Sequence, residues 1–469
     1  MTEPADLGVT EASALLARRE LGAVELAQAC LDRIRARDGE HTYDGDPASV
    51  NAWIRIYEED ALAAAARADE RLGEGGAPPM CGIPVGLKDL YAVAGKPLTA
   101  SSRLLVETPA RSCDVWLRLE AAGAVLLGHT HTHEFAAGGT TDQVGNPWAL
   151  DRSSGGSSGG SGAALAAHTV PAATGTDTAG SLRIPAALSG VSTIKPTRGH
   201  VSLRGIVPLS PSLDHAGPMA RSVADCALVL AAMAGPDGGR STTALLRPAP
   251  ELSGSKSLAG MRLAVSPRVG SLEPDVAEGF DRAIDSCRRL GASIVAPIAD
   301  VPTLDVLDDY MTVLLADMLA YHRRFDGSRD LYRPSIREFI ELAETSHAHA
   351  EEYVAAATRR RDVTARWSDR LAAEHVTALL EPTVPVTAPL RGSGYDHALS
   401  DFDLISLTHY WNWTGFPVVA LPSGVGAQTG LPVSVSLVGP PGSDWELLAV
   451  GAALQDELGI PSPSPRTLS

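Results

Sequence analysis

The sequence predicts an α/β fold, one large sheet with helices around it, and three observations predict it. From Gly82 onward short apolar runs (Ile83–Leu87, Ala124–Leu127, Val170–Thr174) alternate with glycine turns and helical stretches. The same texture returns after Pro382, through Gly415–Pro422 and Gly430–Gly439, so the sheet is built from both halves of the chain. The length, 469 residues with 44% hydrophobic and 20% charged, supports an extensive core and excludes disorder as the main state.

The elements follow in order along a single unit, 1–469. Residues 10–38 read as two amphipathic helices broken at Gly22, and 58–73 as an Ala-rich helix, so an N-terminal helical part covers about 8–75. The core runs from about 80 to 230. Between 303 and 375 the chain reads as long charged helices (Leu304–Ala320, Ser335–Ser346, Ala350–His375), interrupted around Gly327 and Pro334, expected to form a layer covering a substrate pocket at one end of the sheet. The tail Pro461–Ser469 is expected to be mobile, and no tandem repeat is present.

Charge and cysteine content narrow the function classes. With 39 Lys and Arg against 56 Asp and Glu, the net charge of -17 gives no footprint for nucleic acid or an anionic membrane. Cys30, Cys81, Cys113, Cys226 and Cys287 are odd in number, far apart and never in a C-x-x-C pair, which fits a reducing compartment better than a disulfide framework. The first ten residues lack the pattern of a signal peptide and no apolar run approaches 18 residues, so a cytoplasmic protein is expected.

The chemistry concentrates around Ser153–Gly162, SSGGSSGGSG, which composition alone would make a linker. Its position argues otherwise. A helical run (Ala163–His168) and a strand-like run (Val170–Thr174) follow, and then a second polar turn, Gly175–Ser181. A helix of about ten residues rises about 15 Å and a strand of about five or six returns about as far, so both turns can lie at one edge of the sheet. Ser157 and Ser181 can therefore be neighbours. Lys88 ends the apolar run from Gly82 at a strand terminus, where desolvation lowers a lysine toward the range of a general base. A serine hydroxyl needs such a base to become a nucleophile, and no histidine has an obvious claim to the role. Backbone N–H groups of Thr178, Ala179, Gly180 and Ser181 can line one concavity and stabilise an oxyanion.

On these residues the chain resembles the amidase signature family of Ser, cis-Ser, Lys hydrolases. The matching stretches are Gly82–Asp89, His133–Ala136, Gly145–Trp148, Gly155–Ser161, Gly175–Pro185, Lys195–Thr197, Ser212–Pro218, Glu381–Thr383 and Gly415–Pro417. The resemblance implies a large mixed, twisted sheet surrounded by helices. It further implies Ser181 as nucleophile, Ser157 as bridging serine after a cis peptide bond, and Lys88 as terminal base. The implied activity is cleavage of the C–N bond of a small-molecule amide through an acyl-enzyme, extending to esters and carbamates in a urethanase-like way. That chemistry needs no metal or organic cofactor, and a homodimer is compatible with it.

Three departures bear on substrate. The nucleophile follows Ala179-Gly180 where the family often has two glycines. The segment 136–145, which lines the acyl pocket in the family and places Ala137, Gly138 and Gly139 there, is several residues shorter than usual. A C-terminal Gly and Gln of many relatives are replaced in Leu431–Leu437, where Ser434 and Ser436 stand. Asp177 and Arg183 either anchor the turns as an ion pair or present Arg183 to a substrate carboxylate, and anchoring is favoured.

Two rival readings accompany this one. An amidotransferase A-type subunit, feeding ammonia to a partner subunit, would carry the same motifs; the short segment, the serine strand and the acidity favour a stand-alone hydrolase. His129, His131 and His133 lie at period two, so on a strand they would share a face and suit a metal-dependent amidohydrolase, though further ligands are not evident. Neither glycine turn has P-loop spacing.

Overall fold

The computed structural model describes residues 3–235, 257–298, 301–346, 349–392, 394–397 and 402–460. The expected mobile tail, Pro461–Ser469, lies outside them. Among the described residues the strands are β1 (Trp53–Ile56), β2 (Pro84–Lys88), β3 (Val125–Thr130), β4 (Gly145–Asn146), β5 (Ala149–Ser153), β6 (Ala172–Asp177), β7 (Ser192–Lys195), β8 (His215–Ala220), β9 (Arg262–Val265), β10 (Ser293–Val295), β11 (Ala378–Pro382), β12 (Val418–Val425) and β13 (Pro432–Val438). Eleven of them form one mixed sheet in the order β1-β3-β2-β6-β8-β7-β12-β13-β11-β9-β10, and β4 with β5 forms a separate hairpin. The fold is the large mixed sheet wrapped by helices that the resemblance implies.

Strands β2, β3 and β6 are parallel neighbours, with Val85 opposite Ala172 and Lys88 opposite Thr130. Because β2 and β6 run the same way, their C-terminal residues, Lys88 and Asp177, arrive at one edge of the sheet. Strand β8 then pairs antiparallel with β6, setting His215 against Asp177. All three of β2, β6 and β8 are buried along their whole length, as strands covered on both faces must be.

The N-terminal helices are Val9–Ala17, Ala23–Arg37 and Glu58–Glu74. Strand β1 between the last two is an edge strand that the sequence texture does not reveal. The segment read as a charged helical layer holds helices Leu307–His322, Pro334–Thr345 and Ala350–Ala373, the first two joined by a 3-10 stretch, Arg323–Leu331. Their apolar faces bury Tyr310, Val313, Met318, Ile336, Phe339, Val363 and Trp367. At about 25 cal/mol per Å² of apolar surface removed from water, each fully buried large side chain contributes about 1.5–3 kcal/mol toward holding these helices in the core. The five cysteines are free and buried, and no described helix is long and apolar enough to cross a membrane.

Candidate active site

The Gly/Ser run is not a linker. Its second half is the first turn of helix Gly159–Ala166, which starts four residues earlier than the Ala/Leu pattern suggests. Every residue from Ser153 to Gly162 is buried. A Cβ at Gly156 would lie 2.0 Å from the Thr140 carbonyl oxygen, so only glycine lets these two stretches of backbone meet. The Gly156–Ser157 peptide is cis.

Lys88 is fully buried, and its Nζ stands 2.7 Å from Ser157 Oγ, 2.9 Å from Ser158 Oγ and 2.8 Å from Thr176 Oγ1. A neutral amine has two protons and one lone pair, so three hydroxyl neighbours can be served by donating to two and accepting from the third. Ser158 Oγ sits 3.3 Å from the Thr176 carbonyl, to which its own proton can go, which suits it to accept from the lysine. Burial pushes the Lys88 amine well below the ordinary lysine value, with the Asp177 and Asp214 carboxylates opposing the shift. The sheet edge therefore holds an amine biased toward its neutral form beside Ser157.

Ser181 lies on the second turn, between β6 and helix Arg183–Ser189, and is 5% exposed. Its hydroxyl is not hydrogen-bonded to that of Ser157; contacts of this kind commonly tighten only when substrate is bound. The turn itself is fixed by its carbonyls. Thr178 O accepts from Tyr310 OH at 3.0 Å, Ala179 O from the Thr408 hydroxyl, Gly180 O from Ile184 N at 2.7 Å, and Ser181 O from Ser158 N at 3.3 Å. Among the described residues none of the amides of Thr178, Ala179, Gly180 and Ser181 donates to a protein acceptor. Four successive amides free of protein partners, with their carbonyls tied back, are what an anion-stabilising turn requires. Gly180 has φ +138°, a conformation that strains any residue with a side chain.

Asp177 and Arg183 anchor this turn. Arg183 Nε donates to Asp177 Oδ2 and a terminal guanidinium nitrogen to Oδ1, both at 2.9 Å, and Leu182 N adds a third bond at 3.1 Å. Burial works to raise the Asp177 carboxyl, but the charge and hydrogen bonds of Arg183 prevail and hold it down at about 2. The guanidinium is spent further on Thr408 O and Asn412 Oδ1, which leaves it an internal anchor. Asp214 accepts the Thr178 hydroxyl at 2.5 Å, and burial pushes its carboxyl up to about 6.

Ala137 and Gly138 are half-buried and Gly139 is buried, directly before Thr140 and thus beside the Ser157 turn. Gly138 rests on the His133 ring, where a Cβ would come within 2.3 Å. The three histidines do not share a face. Strand β3 ends at Thr130, and each ring goes to its own partners: His129 to Tyr57 OH and Tyr91 O, His131 to Ser101 Oγ and Thr42 O, His133 to Thr140 O. The period-two reading fails because the strand stops before its second histidine. Ser434 and Ser436 are likewise internal, both within 3.0 Å of Thr383 Oγ1. Sequence reasoning missed Ser158 and Thr176 as neighbours of Lys88, although both lie inside the matched stretches, and it missed Tyr310 and Thr408, which no local pattern marks.

The structure thus brings the Ser181 turn, Ser157 and the buried Lys88 amine to the same end of β2 and β6. The chain matches the family model described as Amidase over residues 41–448, and it belongs to the amidase signature family. It is 38% identical, over 97% of both chains, to the A-type subunit of glutamyl-tRNA(Gln) amidotransferase from Chloroflexus aggregans. Among solved structures it resembles native peptide amidase from Stenotrophomonas maltophilia (TM-score 0.83, 29% identity, 99% of each chain). It also resembles 6-aminohexanoate cyclic dimer hydrolase complexed with substrate (TM-score 0.86, 28% identity, 99% of each chain). The named relative in sequence thus carries the name of the amidotransferase alternative rather than that of a small-molecule amidase.

Proposed function

We propose that the chain cleaves an amide C–N bond by acyl transfer to Ser181, with Ser157 as relay and Lys88 as base. The observation that carries this reading is the buried Lys88 amine 2.7 Å from Ser157 Oγ, next to a turn whose four amides have no protein acceptor among the described residues. Lys88 accepts the Ser157 proton while Ser157 accepts that of Ser181, and Ser181 Oγ bonds to the amide carbon. The oxyanion accepts from amides within Thr178–Ser181. On collapse the C–N bond breaks, and the relay delivers its proton to the leaving nitrogen. Water, deprotonated by the same relay, then attacks the acyl ester; the carboxylic acid leaves and Ser181 regains its proton.

Two settings fit this chemistry. The 38% identity over nearly the whole of both chains supports an amidotransferase A-type subunit, in which ammonia freed at Ser181 passes to a partner subunit. That weighs more than the short segment, the serine strand and the acidity, and of these the serine strand is bound up within the sheet through Thr383. The likeness to two solved hydrolases supports the second setting, a stand-alone enzyme acting on small amides, esters or carbamates. Affinity purification from the source cells, with ammonia release from L-glutamine and turnover of aryl amides and carbamates measured on the isolated chain and on any complex, separates them. Copurifying subunits together with activity confined to the complex establish the first setting. A fully active isolated chain that prefers aryl amides or carbamates establishes the second, and no turnover in either preparation contradicts amide cleavage.

A further inference from the structure

The peptide unit is planar and trans, so holding the carbonyl of one residue aims the N–H of the next in the opposite direction. Carbonyl contacts therefore aim all four free amides: Asn412 Nδ2 on Asp177 O, at 2.8 Å, aims that of Thr178, and three contacts within the turn aim the others. Ile184 N on Gly180 O aims the Ser181 amide and comes with the start of helix Arg183–Ser189. The other two contacts come from side chains far along the chain. Tyr310 OH, 132 positions from Thr178, holds Thr178 O and so aims the Ala179 amide. The Thr408 hydroxyl, 229 positions from Ala179, holds Ala179 O and so aims the Gly180 amide. Nothing in the turn's own backbone replaces these two bonds, because among the described residues its amides bond to no protein group.

The two segments brace one another. Tyr310 is fully buried, and its ring packs edge-on against His409 with centroids 5.4 Å apart, next to Thr408. The Tyr310 helix also holds a neighbouring stretch through Asp317, which accepts from Ser210 Oγ at 2.7 Å and Ser212 N at 3.0 Å. The Ser210–Ser212 stretch leads into Asp214, the acceptor of the Thr178 hydroxyl. The helical layer is thus wired to the backbone on which the oxyanion would rest.

We propose that Tyr310 and Thr408 are positioning residues, whose hydroxyls aim the Ala179 and Gly180 amides at the oxygen on which negative charge develops; this rests on the reading of Ser181 as nucleophile. A buried phenol satisfied by a convenient carbonyl would make the same contact without affecting the reaction, and the two roles differ in what they move. The test uses the full chain as wild type, Tyr310→Phe, Thr408→Val and Thr408→Ser. An alkyl fluorophosphonate places its phosphoryl oxygen where the substrate oxygen would lie, and intact-mass spectrometry follows the rate of adduct formation at Ser181 across pH.

Direct loss of an oxyanion donor costs about 10²–10³-fold, so misaiming one is expected to slow labelling about 10-fold in Tyr310→Phe and in Thr408→Val. The pH midpoint should stay at the wild-type value, because the Lys88–Ser157 contact is untouched, and Thr408→Ser should restore the rate. Wild-type rates in both hydroxyl-free variants would overturn the proposal. So would a slowing that moves the pH midpoint or that Thr408→Ser fails to rescue, since either places the loss in general packing. A wild-type protein unlabelled at Ser181 fails differently: it removes the nucleophile reading, and this proposal with it.

Discussion

Two lysines end strands of the same sheet, and they differ in company rather than in burial. Lys88 closes β2 and Lys195 closes β7; both are fully buried, and burial pushes both amines well below the ordinary lysine value. Around Lys88 Nζ stand three hydroxyls between 2.7 and 2.9 Å away. Among the described residues Lys195 Nζ bonds only to the carbonyl of Pro196, at 3.2 Å, and the positive charges of Arg183 and Arg198 push it down further. A neutral amine beside a hydroxyl can take its proton, whereas one beside a carbonyl finds no proton to take. Desolvation makes an amine available as a base, and its neighbours decide whether it serves as one.

The comparison breaks most directly at Lys88. Lys88→Met should fold and lose about 10²–10⁴-fold in amide turnover, since a general base contributes about that much; initial rates of ammonia release, with a melting curve as control, check it. Next in size is Asp177, whose carboxylate faces both lysines. Asp177→Ala leaves Arg183 buried without its partner and should cost about 3–5 kcal/mol of stability, read from denaturant midpoints.

The pH dependence is a smaller and sharper test. The folded value of Lys88 lies below its unfolded value, so the amine protonates only as pH falls through the folded value, and turnover should fall along that acidic limb. Between the two values the unfolded chain binds more protons, so stability should rise as pH climbs toward the ordinary lysine value, and Lys88→Met should flatten that rise. Lys195→Met is expected to flatten it as well while leaving turnover at the wild-type level. A collapse of turnover in Lys195→Met, with the fold intact, would erase the distinction between the two lysines.

Much of this is legible in the sequence, for identifiable reasons. Apolar runs ending in a polar residue mark β2, β3 and β6 within a few positions, because buried strands leave an unbroken hydrophobic signal. Trp53–Ile56 leaves no such signal, because four residues at a sheet edge carry little pattern. The two serine turns and Lys88 are visible because their motifs are contiguous. The spacing of His129, His131 and His133 misleads because periodicity says nothing about where a strand stops. Tyr310 and Thr408 are invisible, since a hydrogen bond across 132 or 229 positions leaves no local trace. Ser434 and Ser436 carry less weight for the setting than their sequence suggests, because Thr383 holds their hydroxyls.

Activation of Ser181 by Lys88 through Ser157 is read by intact-protein mass spectrometry after exposure to a fluorophosphonate, followed by peptide mapping. One adduct on Ser181 is expected in the wild type, none in Ser181→Ala, and slow formation in Lys88→Met. An adduct elsewhere, or wild-type labelling of Ser181 in a folded Lys88→Met protein, would contradict it.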